Sequence, residues 1–348
     1  MTETIPGYTH TLSVVIPVYQ GEKTLSALMA ELETYTQPFV TATGLRAVVN
    51  EVILSYDHGP DRSDEVIRSL AQRYPWIKPV WLSRNFGQHP ATLAGIASSG
   101  GDWIVTMDED GQHDPAFIGT LLDVAVAERA DLVYADPTNR PPHGFVRNAA
   151  SRTSKRMLES VFGGGKASHF HSFRLILAET GRSIAAYAGQ GVYLDVALGW
   201  VANRTVTAPV EVRDEGERIS GYSYRRLFGH FWRMVLTSGT RGLRLVTAAG
   251  VIFFVGGLLF ALYLVAMRIF GGNIPEGWTS QMVLTALGTG VILVSLGIIA
   301  EYLGVAVNVA LGHPAYLIVR DPDAGPLGAR AAQRSTTARS EDETDAEI

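Results

Sequence analysis

Between Thr11 and Ala135 the chain alternates two kinds of segment, and that alternation limits the folds open to it. "LSVVIPV", "VVNEVILS", "KPVWLS", "DWIVTMD" and "DLVYA" are short apolar runs of strand character. Between them, "GEKTLSALMAELETY", "SDEVIRSLAQRY", "HPATLAGIASS" and "PAFIGTLLDVAVAE" space their apolar residues as helices do. Such alternation predicts an α/β domain with a mostly parallel sheet covered by helices on both faces. Ligands of these folds bind beyond the carboxyl ends of the strands.

The fourth apolar run ends at such a place in "VTMDEDGQHD", Val105 to Asp114, with four acids in close succession. In an extended chain residues two apart face the same way, so Asp108 and Asp110 can converge on one hard cation, and Gln112 and Asp114 continue the alternation. Magnesium or manganese commonly takes one or two carboxylates and completes its shell with substrate phosphate oxygens. A solvated loop with Asp114 capping the helix that starts at Pro115 is the plainer alternative. The histidines His113, His169 and His171 read as loop or site-rim residues rather than a zinc centre.

Two stretches, Leu245–Met267 and Trp278–Ala300, each 23 residues, carry no charged side chain. At 1.5 Å per residue either can cross a hydrocarbon core of about 30 Å. The ten residues between them, "RIFGGNIPEG", make a two-helix transmembrane hairpin the expectation. Arg225, Arg226, Arg233, Arg241 and Arg244 crowd the first span, whereas the connecting loop has Arg268 offset by Glu276. The positive-inside rule therefore puts both termini in the cytoplasm, and the opening "MTETIPGYTH" lacks the pattern of a secretory leader. "YSYRRLFGHFWRMVLTSGTRGLR" suits amphipathic helices at the membrane surface. The expected divisions are a cytoplasmic domain over 1–222, interfacial helices over 223–244, the hairpin over 245–312, and a C-terminal segment with an unstructured tail over 313–348. Glu301, just beyond the second span, marks the interface or pairs with an arginine of a neighbouring helix.

With no cysteine, thiol catalysis, disulfides and cysteine-bound zinc are excluded, and a net charge of −5 argues against a nucleic-acid partner. "FGGGK" lacks the earlier glycine of a phosphate-cradling loop, since Ser160 stands there.

"SVVIPVYQGEKTL", "LSRNFGQHPATLAGI", "VTMDEDGQHDP", "SFRLI" and "VSLGIIAEYLG" follow one another in an order that resembles family-2 glycosyltransferases of the polyprenyl-phosphate type, the dolichyl-phosphate mannose synthase group and its bacterial relatives. The resemblance runs from about Ser13 to Arg320. It implies a GT-A, Rossmann-like fold and inverting transfer of a sugar from a UDP- or GDP-linked donor to undecaprenyl or dolichyl phosphate. It also implies Mg2+ or Mn2+ as cofactor, the membrane as partner, and a homo-oligomer, a tetramer in some relatives. Carried over, Pro17, Tyr19 and Glu22 belong to the nucleotide pocket and Asp57 contacts the base. Arg84 and Asn85 line the donor site, and Asp108, Asp110 and Gln112 hold the metal on the diphosphate. Arg147 and Ser151 grip the acceptor phosphate, Arg174 follows Phe173 in the "FR" strand, and Arg218, Gly221 and Ser223 form an element near the membrane.

The chain departs from the pattern in places. "YDHGPD" puts Tyr56 where relatives have an acid and His58 where they have glycine, and the acid before "FR" is replaced by "SHFHS". The chemistry does not require that acid. An acceptor phosphate with a second pKa near 6 is largely anionic at pH 7 and needs alignment, with Asp110, Gln112 and Arg147 as the catalytic set. A processive polysaccharide synthase would have more spans and a Q-x-x-R-W element, which "GQGVYLDVALGW" lacks. A membrane-anchored sugar-nucleotide sensor or scaffold without turnover is the other reading.

Overall fold

The computed structural model describes residues 8–139, 171–189, 193–213, 277–311 and 313–324, with isolated positions between 255 and 270. The chain divides into two units. One comprises Met1–Gly144, His169–Ile219 and Pro314–Ile348; the other comprises Phe145–Ser168 and Ser220–His313.

Among the described residues the first unit is built on a nine-stranded sheet in the order β8-β6-β7-β5-β1-β3-β4-β9, with β2 (Phe39–Val40) paired to the start of β3. Its centre is four parallel strands: β1 (Thr9–Val18), β3 (Arg46–Tyr56), β4 (Ile77–Leu82) and β5 (Trp103–Thr106). These are the first four apolar runs of the sequence. They are nearly unbroken apolar runs because both faces are covered. Leu12, Val14, Ile16 and Val18 of β1 pack into one core with α1 (Leu25–Glu33), α2 (Ser63–Arg73) and α4 (Ile118–Glu128). Val15, pointing the other way, joins a second core with α3 (Gln88–Ala97), α5 (Ala178–Tyr187) and α6 (Leu194–Val201). In α1 the buried residues Leu25, Leu28, Met29 and Leu32 recur at helical spacing, which fixes the face turned to the sheet. On the opposite face α3 comes so near the sheet that a Cβ at Gly95 would lie 2.4 Å from Val15 Cγ1 and 2.6 Å from Ser55 Oγ.

The sheet is mostly parallel, as expected: β2, β7 and β9 run against the other strands. β7 (Arg174–Leu177) enters antiparallel between β5 and β6 (Leu132–Pro137), and β8 (Thr205–Val210) lies parallel to β6. At the other edge β9 (Ile318–Val319) adds antiparallel to β4, pairing Trp81 with Val319 and Leu82 with Ile318. Beside it Arg68 of α2 binds Asp64, Asp321 and Asp323, its guanidinium 4.9 Å from the Trp81 ring centroid. Asp321 and Asp323 stand in the tail expected to be unstructured; the arginine they share and the strand before them order this stretch.

The second unit contains α7 (Trp278–Ala310), 33 residues with Glu301 as its single charged side chain. It includes the whole second expected span. The first span, the connecting loop and the interfacial segment fall almost entirely outside the described residues, so a hairpin is not shown. Over the described residues no helix is long and apolar enough to cross a membrane.

Candidate active site

Four loops leave the carboxyl ends of β1, β3, β4 and β5, and side chains of one hold the backbone of another. After β1, the N–H groups of Tyr19 and Gln20 donate to the two carboxylate oxygens of Glu109 at 2.7 and 2.8 Å. The next two N–H groups go to the loop after β3: Gly21 to Ser63 Oγ at 2.8 Å and Glu22 to Asp61 Oδ2 at 3.1 Å. Glu22 answers by accepting the Arg62 N–H at 3.3 Å. These loops cross so closely that a Cβ on Gly59 would sit 1.5 Å from the Tyr19 carbonyl oxygen. Pro17 is half-buried at the end of β1, whereas Tyr19 and Glu22 are exposed.

Asp57, buried at the end of β3, accepts the N–H groups of Phe86 at 2.6 Å and Gly87 at 2.8 Å. Burial raises its pKa against those two hydrogen bonds. Each oxygen thus accepts one N–H of the "RNFG" loop, where Gly87 takes the left-handed φ of +97° that starts α3. Arg84 and Asn85 of that loop are exposed, and the Arg84 guanidinium lies 4.9 Å from the Phe86 ring centroid.

The loop after β5 carries the acids. Asp108 accepts from Gln88 Nε2 at 2.8 Å and from Ser172 Oγ at 2.5 Å. Its N–H donates to Nδ1 of buried His113 at 3.0 Å, which assigns the imidazole proton to Nε2. Burial lowers the His113 pKa, so the ring stays neutral. Asp110 Oδ1 accepts the Gln112 N–H at 3.0 Å across Gly111, whose φ is +78°, so the chain turns tightly at the second acid. Asp114 caps the following turn by accepting the Ala116 N–H at 2.9 Å. Among the described residues no three His, Asp or Glu side chains form a metal cage of their own.

This carboxylate-bearing, strand-end constellation lies inside residues 13–181, which match the family described as Glycosyl transferase family 2. Along nearly the whole chain the similarity extends to the undecaprenyl-phosphate 4-deoxy-4-formamido-L-arabinose transferase of Pseudomonas paraeruginosa. That protein is 30% identical over 323 residues, which is 90% of this chain and 91% of the relative. The chain belongs to the family-2 glycosyltransferases of the polyprenyl-phosphate type. The Edwardsiella ictaluri protein of the same name is 28% identical over 88% of this chain and 93% of its own length. Among solved structures, glucosyl-3-phosphoglycerate synthase from Mycobacterium tuberculosis, in complex with Mn2+, UDP and phosphoglyceric acid, aligns at a TM-score of 0.48. Its identity is 17% over 67% of this chain and 78% of that one.

In this glycosyltransferase a buried polar layer lies beneath the acids. Arg174, at the start of β7, pairs with Asp195 of α6 and donates from Nε to Thr106 Oγ1 at 3.0 Å. Tyr134 of β6 donates to the same Asp195 at 2.9 Å, and burial pushes its phenol up to about 12. Arg174, expected to bind substrate, has its guanidinium inside the domain at 3% exposure. Register explains the placement: β7 sets Arg174 opposite Thr106 on one side and Tyr134 on the other. Its link to the surface is the chain itself, since Ser172, two residues earlier, holds Asp108. His171 packs beside His113 with ring centroids 5.7 Å apart, its buried Nδ1 having no partner among the described residues. Burial and the neighbouring His113 lower its pKa to about 4.

The loops thus bring together Pro17, Tyr19, Glu22, Asp57, Arg84, Asn85, Asp108, Asp110 and Gln112. Arg147, Ser151, Arg218, Gly221 and Ser223 lie outside the described residues. Glu109 and Ser172 were not among the expected residues. Glu109 has a signal in the alternation itself: if Asp108 and Asp110 face one way, the residue between them faces the other, toward the β1 loop.

Proposed function

We propose that this glycosyltransferase moves a sugar, with inversion, from a UDP- or GDP-linked donor to the phosphate of undecaprenyl or dolichyl phosphate at the cytoplasmic membrane face. The observation that carries this reading is the mutual bracing of four strand-end loops around Asp108 and Asp110. Such bracing suits a ligand with a base at one end and a diphosphate at the other. The relatives' names specify undecaprenyl phosphate and 4-deoxy-4-formamido-L-arabinose, which makes that amino sugar the first donor to test.

The residues fit a divalent cation of the Mg2+ or Mn2+ kind. Asp110 and Gln112 on one tight turn, with Asp108 just before it, give few oxygen donors, which suits an ion that draws its remaining ligands from phosphate and water. When bound, the ion supplies positive charge to the leaving diphosphate. Asp110 and Gln112 are the residues to hold it. Asp108, braced by Gln88 and Ser172, fixes the loop from which they project. Pro17, Tyr19 and Glu22 shape the nucleotide end, and Asp57 holds the "RNFG" loop that presents Arg84 and Asn85 to the donor. By the resemblance in sequence, Arg147 and Ser151 are the residues proposed to take the acceptor phosphate, and Arg218 and Ser223 are further substrate-binding residues. The acceptor oxygen, already anionic, attacks the anomeric carbon in line with the departing diphosphate.

Membrane anchoring is part of the proposal. α7 is long, has one charge, and exposes Ile292, Val294, Leu296, Ile299 and Leu303. A helix that is apolar on more than one face calls for an apolar surround. With Leu245–Met267 it forms the proposed hairpin, leaving both termini cytoplasmic.

The test is transfer by the detergent-purified protein supplied with undecaprenyl phosphate, Mn2+ or Mg2+, and a panel of UDP- and GDP-sugars, read by mass spectrometry of the lipid. A glycosylated lipid phosphate is expected, and Asp110→Ala should reduce its rate by about a hundredfold or more. No lipid product from any donor sinks the reading.

A further inference from the structure

Four successive backbone N–H groups, Tyr19 to Glu22, turn the corner after β1, and every one ends on a side chain of another loop. Where successive N–H groups at such a corner are left free, proteins often collect anions. Here half of the run is taken by one internal carboxylate. Glu109 reaches Tyr19 N with Oε2 and Gln20 N with Oε1, so it restrains both the direction and the height of the loop. The space around it is tight: a Cβ on Gly21 would lie 3.2 Å from Glu109 Oε2 and 2.7 Å from Leu25 Cγ. Tyr19 and Gln20 are otherwise exposed, and the Ser63 and Asp61 bonds hold the loop only from Gly21 onward.

The carboxylate that does this belongs to the loop of Asp108 and Asp110. One side chain therefore joins the two loops to which the proposed function assigns opposite ends of the donor. A nucleotide diphosphate has a limited span from base to metal-bound phosphates. A pocket made of two loops binds it well only when their separation is set beforehand. We propose that Glu109 is a positioning residue for the donor, setting the β1 loop and the Asp108–Gln112 loop at the spacing of a nucleotide diphosphate. This inference rests on the donor reading of the site. Glu109 touches neither the sugar nor the acceptor in it.

Glutamine at this position keeps the shape but turns an amide NH2 toward one of two N–H donors, so it cannot accept both bonds. Glu109→Gln in the full chain, in detergent, is expected to raise the donor KM about tenfold or more. The lipid-phosphate KM and the thermal midpoint should stay near wild type. Amide exchange should quicken at Tyr19 and Gln20 and stay unchanged along β1. Glu109→Asp, which retains both oxygens on a shorter arm, should fall between. It also serves as the reading variant if the glutamine protein folds poorly.

Wild-type donor KM in both variants overturns the proposal, as does an equal rise in both substrates' KM. Should the wild type transfer no sugar, the function reading fails first. Calorimetric binding of UDP and GDP with Mn2+ then decides this one: tenfold weaker binding to Glu109→Gln supports it and unchanged binding overturns it. A wild type that binds neither nucleotide overturns both.

Discussion

Two arginines in this domain are each tied to aspartates of another element, yet their settings differ in what they can contribute. Arg174 is 3% exposed, walled in by β5, β6 and α6, with Asp195, Thr106 and Tyr134 as its polar surroundings. Arg68 is 21% exposed at the sheet edge and shares three aspartates, one of them 66% exposed. Water can take over the role of a partner lost at the edge. Beneath the acids it cannot, so a lost partner leaves a charge stranded in the interior. The same chemical pair is thus a requirement for folding in one place and a trim in the other.

Asp195→Ala gives the largest expected effect. It strands Arg174 and should cost about 3–5 kcal/mol in a denaturant melt, whereas replacing both Arg174 and Asp195 by leucine should recover much of the loss. A cost near that of the edge variants would break the comparison. Next comes pH. His171 has its folded pKa lowered to about 4 from an ordinary 6.5, so the unfolded chain binds the additional proton between those values. Stability should therefore fall as pH drops from 6.5 toward 4, by up to about 3 kcal/mol, and His171→Phe should flatten that slope. Arg68→Ala is the smallest, about 1 kcal/mol or less, and less again in high salt. The Arg68 guanidinium depresses the Asp321 pKa, so this part of the stability is present above about pH 3.9 and lost as pH falls through the folded value. Comparing the melts of wild type and Arg68→Ala at pH 7 and pH 3 sharpens the distinction.

The central strands and their helices were plain in the sequence because each is a long periodic run covered on both faces. β9 was not: three apolar residues between Tyr316 and Arg320 are too few to show a period, and only the open edge of β4 makes them a strand. β7 was signalled as a strand only by resemblance, and its antiparallel sense depends on its two neighbours. At the site, the positions of Asp108 and Asp110 followed from the strand terminus. The hold of Asp57 on the next loop did not. A carboxylate after a strand looks the same in sequence whether or not it accepts two backbone N–H groups of the loop beside it. Arg174 likewise reads as a site cation, because nothing local announces Asp195 as its partner.

The β4–β9 pairing also has a bearing on the order in which the protein is made. Leu82 leaves the ribosome long before Ile318, and synthesis at about 5–20 residues per second separates them by roughly ten seconds or more. Throughout that interval the edge of β4 is an open template, at the time when the apolar stretches are emerging. Among the described residues, the strand that seals this edge of the sheet is therefore the last to be translated, and a nascent chain stopped after α7 lacks it.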